Sequence, residues 1–329
     1  MTILVTGSTG HLGEALMRTL TDQGRQVRGI DIKPSPFTDM TGSITDPDFI
    51  RRAMTGITAI IHAATLHKPH VGTHANKDFI DTNVAGTMNL LEQAVAVGAT
   101  SFVFTSTTSA FGAALRPAPG EPAAWITEDV LPVARNIYGV TKVAAEGICE
   151  LFARTMSLPV VVLRTSRFFP EDDDDPDIRN RYSAANAQAN ELLYRRVDIE
   201  DVVDAHLLAL ERAPSIGFGR YIISATAPFT EADLADLRRD ARVTVKRLFP
   251  DMAALYAAHG WTMFPNFDRV YVNALARQEL GWRPKYDFRQ LLDCLRDGWE
   301  WRSPLAILVG AKGYHDRIFE DGPYPLQRR

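Results

Sequence analysis

A doubly wound parallel α/β sheet carrying a smaller C-terminal lobe is the fold class the sequence predicts, on three observations. Short, continuously apolar β-type runs alternate with helix-period segments through the first half of the chain. A glycine-rich turn, "TGSTGHLG", joins the first apolar run to the first helical one. Beyond Arg164 the alternation lapses into acidic, aromatic and proline-rich stretches, which marks a second unit. A chain of 329 residues, 46% of them hydrophobic, is long enough to bury the core this requires.

Taken in order, the pattern predicts strands at 3–6, 26–31, 59–62, 101–106 and 160–164, with helices at 11–23, 46–54, 83–97 and 137–156. Strands apolar on both faces need helices on both faces, which is a Rossmann-type arrangement. Residues 1–165 are expected to form this dinucleotide-binding domain, with the chain returning to it near 197–224, and 166–329 mainly a substrate-binding lobe. The acidic run Glu171 to Asp175 is expected as a solvated flexible loop, since like charges repel and stay hydrated; the alternative is a mobile flap at the lobe junction.

A net charge of -4 supplies no basic field to gather nucleic acid or an anionic membrane. Two cysteines, Cys149 and Cys294, lie far apart and imply neither a disulfide framework nor a zinc site. The N-terminus runs straight into a strand without a secretory pattern, and no apolar run reaches membrane-spanning length, so a cytoplasmic protein is expected.

The turn places Gly7, Gly10 and Gly13 between an apolar strand and a helix. Glycines there permit a tight turn and close backbone approach, while free amides at the helix N-terminus receive a pyrophosphate. Asp31 closes the second strand, where a carboxylate accepts hydrogen bonds from a ribose diol and repels a 2'-phosphate. That favours NAD over NADP, although Lys33 stands nearby.

The TGxxGxxG spacing resembles the extended branch of the short-chain dehydrogenase/reductase superfamily, the NAD-dependent epimerase/dehydratase type. Further stretches match that branch in order: "IIHAA" at 60–64, "NVAGTMNLLEQA" at 83–94, "FVFTSTTSAFG" at 102–112, "YGVTK" at 138–142, "VDIEDVVDAHLLAL" at 197–210 and "ELGWRPKYDF" at 279–288. By this resemblance Thr9, His11, Leu12, Ser43, Ile44, His62, Ala63, Ala64, Asn83 and Lys142 join the three glycines and Asp31 around the cofactor. Ser43 stands where the family has a carboxylate facing the adenine amine, and Asn83 matches an asparagine that kinks its helix.

The resemblance also gives "YGVTK" a mechanism. A free tyrosine, with a pKa near ~10, is a poor base at neutral pH, and an ammonium one helical turn away favours its phenolate. Tyr138 would exchange the proton of a substrate hydroxyl while hydride passes between that carbon and the nicotinamide; Lys142 would also hold the ribose, and Thr107 would hydrogen-bond the reacting oxygen. Relatives that run dehydration carry Asp-Glu immediately after this threonine, whereas Thr108 and Ser109 stand here, so dehydration is not expected. His67 is a candidate substrate contact; with His70 it has a metal-like spacing but no carboxylate or thiolate partner, so no metal is expected.

The resemblance implies a small-molecule substrate, a sugar or nucleotide sugar, and a homodimer built on the helices at 83–97 and 137–156. The usual "RPxNxYGP" is here "RTSRFFPED", placing Arg167 near the asparagine's position, and Tyr194 replaces an expected arginine with Arg195 and Arg196 following. Arg167 could clamp a carboxylate or phosphate. The reading expected is a sugar-directed epimerase that keeps its NAD; the alternative is a dehydrogenase or reductase of a small non-nucleotide hydroxy or carbonyl compound, and intact Thr107, Tyr138 and Lys142 argue against a non-catalytic NAD-sensing protein. The tail "AILVGAKGYHDRIFEDGPYPLQRR" has no reading from the sequence.

Overall fold

The computed structural model describes residues 1–313, His315 and Phe319; the rest of the tail lies outside the described residues. Strands run at β1 Thr2–Thr6, β2 Gln26–Asp31, β3 Met40–Thr41, β4 Ala59–His62, β5 Ser101–Thr107, β6 Ala124–Ile126, β7 Val160–Thr165, β8 Phe218–Ile223 and β9 Arg269–Tyr271. Helices are α1 His11–Asp22, α2 Pro47–Ala53, α3 Asn76–Phe79, α4 Gly86–Ala96, α5 Ile137–Met156, α6 Pro176–Arg181, α7 Ala184–Glu191, α8 Ile199–Ile216, α9 Leu234–Leu248, α10 Met252–Ala258, α11 Phe288–Asp297 and α12 Pro304–Val309. A π-turn over Ile80–Ala85 leads into α4.

Seven strands form one parallel sheet in the order β3-β2-β1-β4-β5-β7-β8. The fold is therefore the Rossmann-like parallel α/β fold expected. Alternation along each strand divides the core into two layers. Ile3, Val5, Ile61, Val103 and Leu163 pack under α1 and α8, while Leu4, Ile60, Phe102, Phe104 and Val162 pack under α2, α4 and α5. Thr6 pairs with His62 and Thr107 with Thr165, so the carboxyl ends of the central strands finish at one edge. That edge, where the sheet order reverses direction beside β1, is where open α/β sheets bind ligands.

β3 and the small β6–β9 pair had no apolar alternation long enough to read, being two and three residues long. A second apolar core lies outside the sheet, with Leu193, Phe229, Leu237, Phe249, Tyr256, Phe264, Phe267, Phe288 and Leu291 packed together. Ala123 joins this core from the connection between β5 and α5.

The "LGWRP" stretch is pinned to α8 by one carboxylate. The fully buried Asp201 accepts the Lys285 N–H (2.8 Å) and the Tyr286 N–H (3.0 Å), and its own carbonyl accepts Trp282 Nε1 (2.9 Å). Asp201→Ala would leave two amide donors without acceptors, and we expect a loss of about 2–4 kcal/mol in urea unfolding. A change below about 0.5 kcal/mol would show the clamp to be idle.

Candidate active site

The cofactor half of the site is set by backbone crowding. Gly7 has φ +73°, and a Cβ there would come within 2.8 Å of the Ala64 nitrogen; one on Gly13 would come within 1.8 Å of the Gly7 carbonyl. Neither position accepts a side chain. Gly10 caps α1 with no side-chain hydrogen bond, leaving first-turn amides for a ligand. Asp31 accepts the Thr9 N–H (3.1 Å) and the Lys33 N–H (3.0 Å), which fixes its carboxylate at the end of β2. Gly7, Thr9, Gly10, His11, Leu12, Gly13, Asp31, Ser43, Ile44, Ala63 and Ala64 all line one end of a cleft of about 1280 Å³. A cradle that a Cβ would fill, free helix amides and an oriented carboxylate fit a dinucleotide.

Three other residues expected at the cofactor, His62, Asn83 and Lys142, lie behind that wall. His62 is 1% exposed and does not line the cleft. Its Nδ1 accepts from Thr6 Oγ1 (2.8 Å), because that hydroxyl already accepts the Ala63 and Ala64 amides, and its Nε2–H then meets Thr87 Oγ1 (3.0 Å). Burial and the charge of Lys142 hold its pKa well below the usual value, so it is a neutral strut tying β4 to β1 and α4. Asn83, also off the wall, satisfies its whole carboxamide: Oδ1 accepts Leu66 N (2.8 Å) and Thr65 Oγ1 (2.9 Å), and Nδ2 donates to Leu66 O (2.8 Å) and Thr141 Oγ1 (3.0 Å). It joins the loop after β4 to α5.

At the middle of the cleft Tyr138 stands in the first turn of α5, whose N-cap Asn136 accepts the Gly139 N–H (3.0 Å). Thr107, at the end of β5, lines the same cleft, and its hydroxyl favours the ionised phenol of Tyr138. Lys142, one turn on, is 2% exposed, with Nζ 4.0 Å from the Phe104 ring centroid. Burial pushes the Tyr138 phenol up to about 12, opposed by Thr107, and burial pulls Lys142 down to about 7, opposed by Glu146. The expected depression of the tyrosine by the lysine is not what the structure gives: desolvation dominates, and Tyr138 is a neutral phenol at physiological pH.

The same cleft is lined by Thr108, Ser109, His67, Arg167 and Arg195; Arg196 lies outside it. The His67 ring lies 6.4 Å from that of Tyr138, and burial with its cationic neighbours holds it neutral. Among the described residues no group of three His, Cys, Asp or Glu is placed to hold a metal ion. Arg196 is a buried structural cation, donating to Glu191 (2.9 Å) and the Phe169 carbonyl (3.0 Å).

The acidic run is not the solvated loop expected. Glu171 bonds His11 (2.8 Å), Asp173 pairs with Arg167 (2.5 Å), and Asp174 pairs with Lys68. Lys68, Arg167 and Arg195 offset the mutual repulsion that the sequence advertises. The tail crosses this corner too, with the Lys312 N–H donating to Glu171 (3.0 Å) and the His315 ring bonding the Pro69 carbonyl (3.0 Å).

The model of the NAD dependent epimerase/dehydratase family matches residues 3–223. The chain belongs to this family. UDP-glucose 4-epimerase of Streptomyces lividans is 25% identical over 95% of this chain and 98% of its own length. The 3 beta-hydroxysteroid dehydrogenase/Delta 5-->4-isomerase of Mycobacterium tuberculosis is 32% identical over 44% of this chain, and an uncharacterized protein of Sinorhizobium fredii 33% over 50%. The match spans only 40% of the length of each of these two relatives. Among solved structures, a short-chain dehydrogenase/reductase superfamily protein from Agrobacterium tumefaciens with bound NAD superposes with a TM-score of 0.64 at 24% identity, covering 91% of this chain and 98% of that one. UDP-glucose 4-epimerase of Thermotoga maritima with UDP-glucose gives 0.61 at 22% identity over 91% and 100%. NAD is the cofactor of the family, and the cradle described above fits it.

Set beside the family pattern, the sequence reading missed Ser166 and Glu191. Ser166, 3% exposed, lines the cleft with its hydroxyl unpartnered, and Glu191 sits among three arginines. The altered "RTSRFFP" motif could have flagged Ser166, but no spacing signals Glu191.

Lys142→Met tests the burial cost. The unfolded chain keeps the lysine proton up to its ordinary pKa of 10.5, whereas the folded chain releases it near 7, so the penalty is full below 7 and fades as pH rises to 10.5. The variant should melt several degrees higher than the parent at neutral pH, with the gap closing toward alkaline pH. A lower melting temperature at pH 7 would contradict this account.

Proposed function

We propose that this chain catalyses reversible NAD-linked hydride transfer at a secondary alcohol, with Tyr138 as acid/base. The single observation behind this is that Thr107 and Tyr138 line the same cleft as the dinucleotide cradle. Hydride supplied by the reduced nicotinamide would reach a carbonyl carbon whose oxygen is held by Thr107 and Tyr138. A phenol that burial keeps protonated is suited to deliver the proton that completes the alcohol. In the reverse direction the same hydroxyl must be relieved of its proton, and Lys142 with the cofactor ribose is the route that reading assigns. Thr108 and Ser109 offer hydroxyls in place of a carboxyl pair, which supports oxidoreduction without loss of water.

The substrate proposed is a small sugar-like hydroxy or carbonyl compound. Arg167 and Arg195, the cations placed to grip a diphosphate, are already engaged by Asp173 and Glu191. This favours a dehydrogenase or reductase that exchanges NAD with solution. A second reading, a nucleotide-sugar epimerase that keeps its NAD, is supported by similarity to the Streptomyces epimerase along nearly the whole chain. NAD released per chain on denaturing protein purified without added nucleotide separates them: an empty site supports the first, a full one the second.

Tyr138→Phe should lower turnover by about 100-fold or more, in whichever direction is assayed, while NAD affinity stays within about 2-fold. Undiminished turnover would remove Tyr138 from the mechanism.

A homodimer is proposed on α4 and α5, which leave Met88, Val140 and Leu151 exposed beside Ile80 of the π-turn. The parent should elute as a dimer on gel filtration and Val140→Asp as a monomer; a monomeric parent would end this proposal.

A further inference from the structure

The two arginines at the substrate end of the cleft are met by a carboxylate that the chain supplies itself. Arg167 Nη1 lies 2.5 Å from Asp173 Oδ2 and 3.1 Å from Glu191 Oε1; Arg195 Nη2 lies 2.9 Å from Glu191 Oε1 and 3.6 Å from Asp173 Oδ2. Glu191 belongs to the frame, since it ends α7, is 1% exposed and also holds Arg196. Burial alone would raise its carboxyl, yet Arg167, Arg195 and Arg196 hold it far below the usual range.

Asp173 comes instead from the loop between β7 and α6. Its Oδ1 accepts the Asp175 N–H (2.8 Å) and its main-chain carbonyl accepts Arg179 Nη1 (2.6 Å), so the loop presents Oδ2 to the arginines in a fixed position. Its side chain is only 7% exposed. One carboxylate oxygen between two guanidinium groups is the arrangement a phosphate or carboxylate of a ligand would take. Beside it the cleft is lined by hydroxyl-bearing residues without charge, Ser166, Thr108 and Ser109.

We propose that Asp173 is a specificity-determining residue: it fills the anion position formed by Arg167 and Arg195, so the substrate presents an uncharged hydroxyl- or carbonyl-bearing end there. A ligand phosphate at that place would have to displace a carboxylate already paired and shielded from water, or sit beside it against its charge. This rests on the oxidoreductase reading above and names the substrate class for it.

The test uses the full chain saturated with NAD, so that the glycine-rich turn is filled, and inorganic pyrophosphate as probe in calorimetric titration. Wild type should bind pyrophosphate weakly, in the millimolar range or not at all. Asp173→Asn, which keeps the shape and removes the charge, should bind it about 10-fold or more tighter, and adding Arg167→Gln should abolish the gain. Asp172→Asn makes the same charge change at the exposed neighbouring position and should behave as wild type.

Tight binding by wild type that disappears in Arg167→Gln would overturn the proposal without recourse to any loop variant. So would Asp173→Asn or Asp173→Ser, melting cooperatively and retaining NAD, with no gain, or an equal gain in Asp172→Asn. Binding is read without turnover, so failure here leaves Tyr138 chemistry standing, and an inactive enzyme leaves this result interpretable.

Discussion

A lysine shut away from water is the constraint on which the site depends. Lysine is almost never fully buried without a partner, because its ammonium loses more hydration than packing returns. Lys142 is nonetheless 2% exposed, with an aromatic face beneath its nitrogen. Its nearest helical carboxylate, Glu146, is taken up by Arg164 through 2.7 and 3.1 Å contacts. What remains for Lys142 is a weak attraction and a pKa drawn to about 7, a cost that packing alone does not explain. The two apolar layers around the seven-stranded sheet supply the stability that lets such a residue persist.

That lysine is useful only if three separately folded pieces meet it in register. Thr107 arrives on the end of β5, Tyr138 on the first turn of α5, and the wall opposite on the loop after β4. The π-turn ahead of α4 is the device that joins them. A one-residue insertion in the helical ladder turns the Asn83 carboxamide away from the helix axis and onto Leu66 and Thr141, linking loop to helix through four hydrogen bonds. π-turns recur at functional sites because they re-aim a side chain without ending the helix, and here the re-aimed group holds the scaffold while Tyr138 faces the cleft.

The parts of the molecule legible in the sequence are those fixed by the local backbone. The glycine turn could be read because Gly7 and Gly13 face other main-chain atoms, and only glycine leaves room for them. The YGVTK pair could be read because one helical turn brings both residues to one face, and the span of α5 follows from its apolar stripe. His62 misleads for the opposite reason. It ends a strand at the site edge, but its direction is settled by Thr6 and Thr87, residues 56 positions before and 25 positions after it, and both draw it inward. Strand β3 escapes because a two-residue edge strand has no period to detect.

The acidic run shows where local reading must fail in principle. Five consecutive carboxylates predict solvation because nothing within several residues can neutralise them. Folding brings His11 from the glycine turn, Lys68 from the loop after β4, Arg167 from the end of β7 and Arg195 from beyond α7 to the same corner. Lys68, Arg167 or Arg195, read alone, looks like a handle for a charged ligand. Together with Glu171, Asp173 and Asp174 they form a partly buried network in which positive and negative groups pair with one another. Counting basic residues along a motif therefore overstates the free positive charge of this corner; the quantity that matters is the charge left over once the chain has paired with itself.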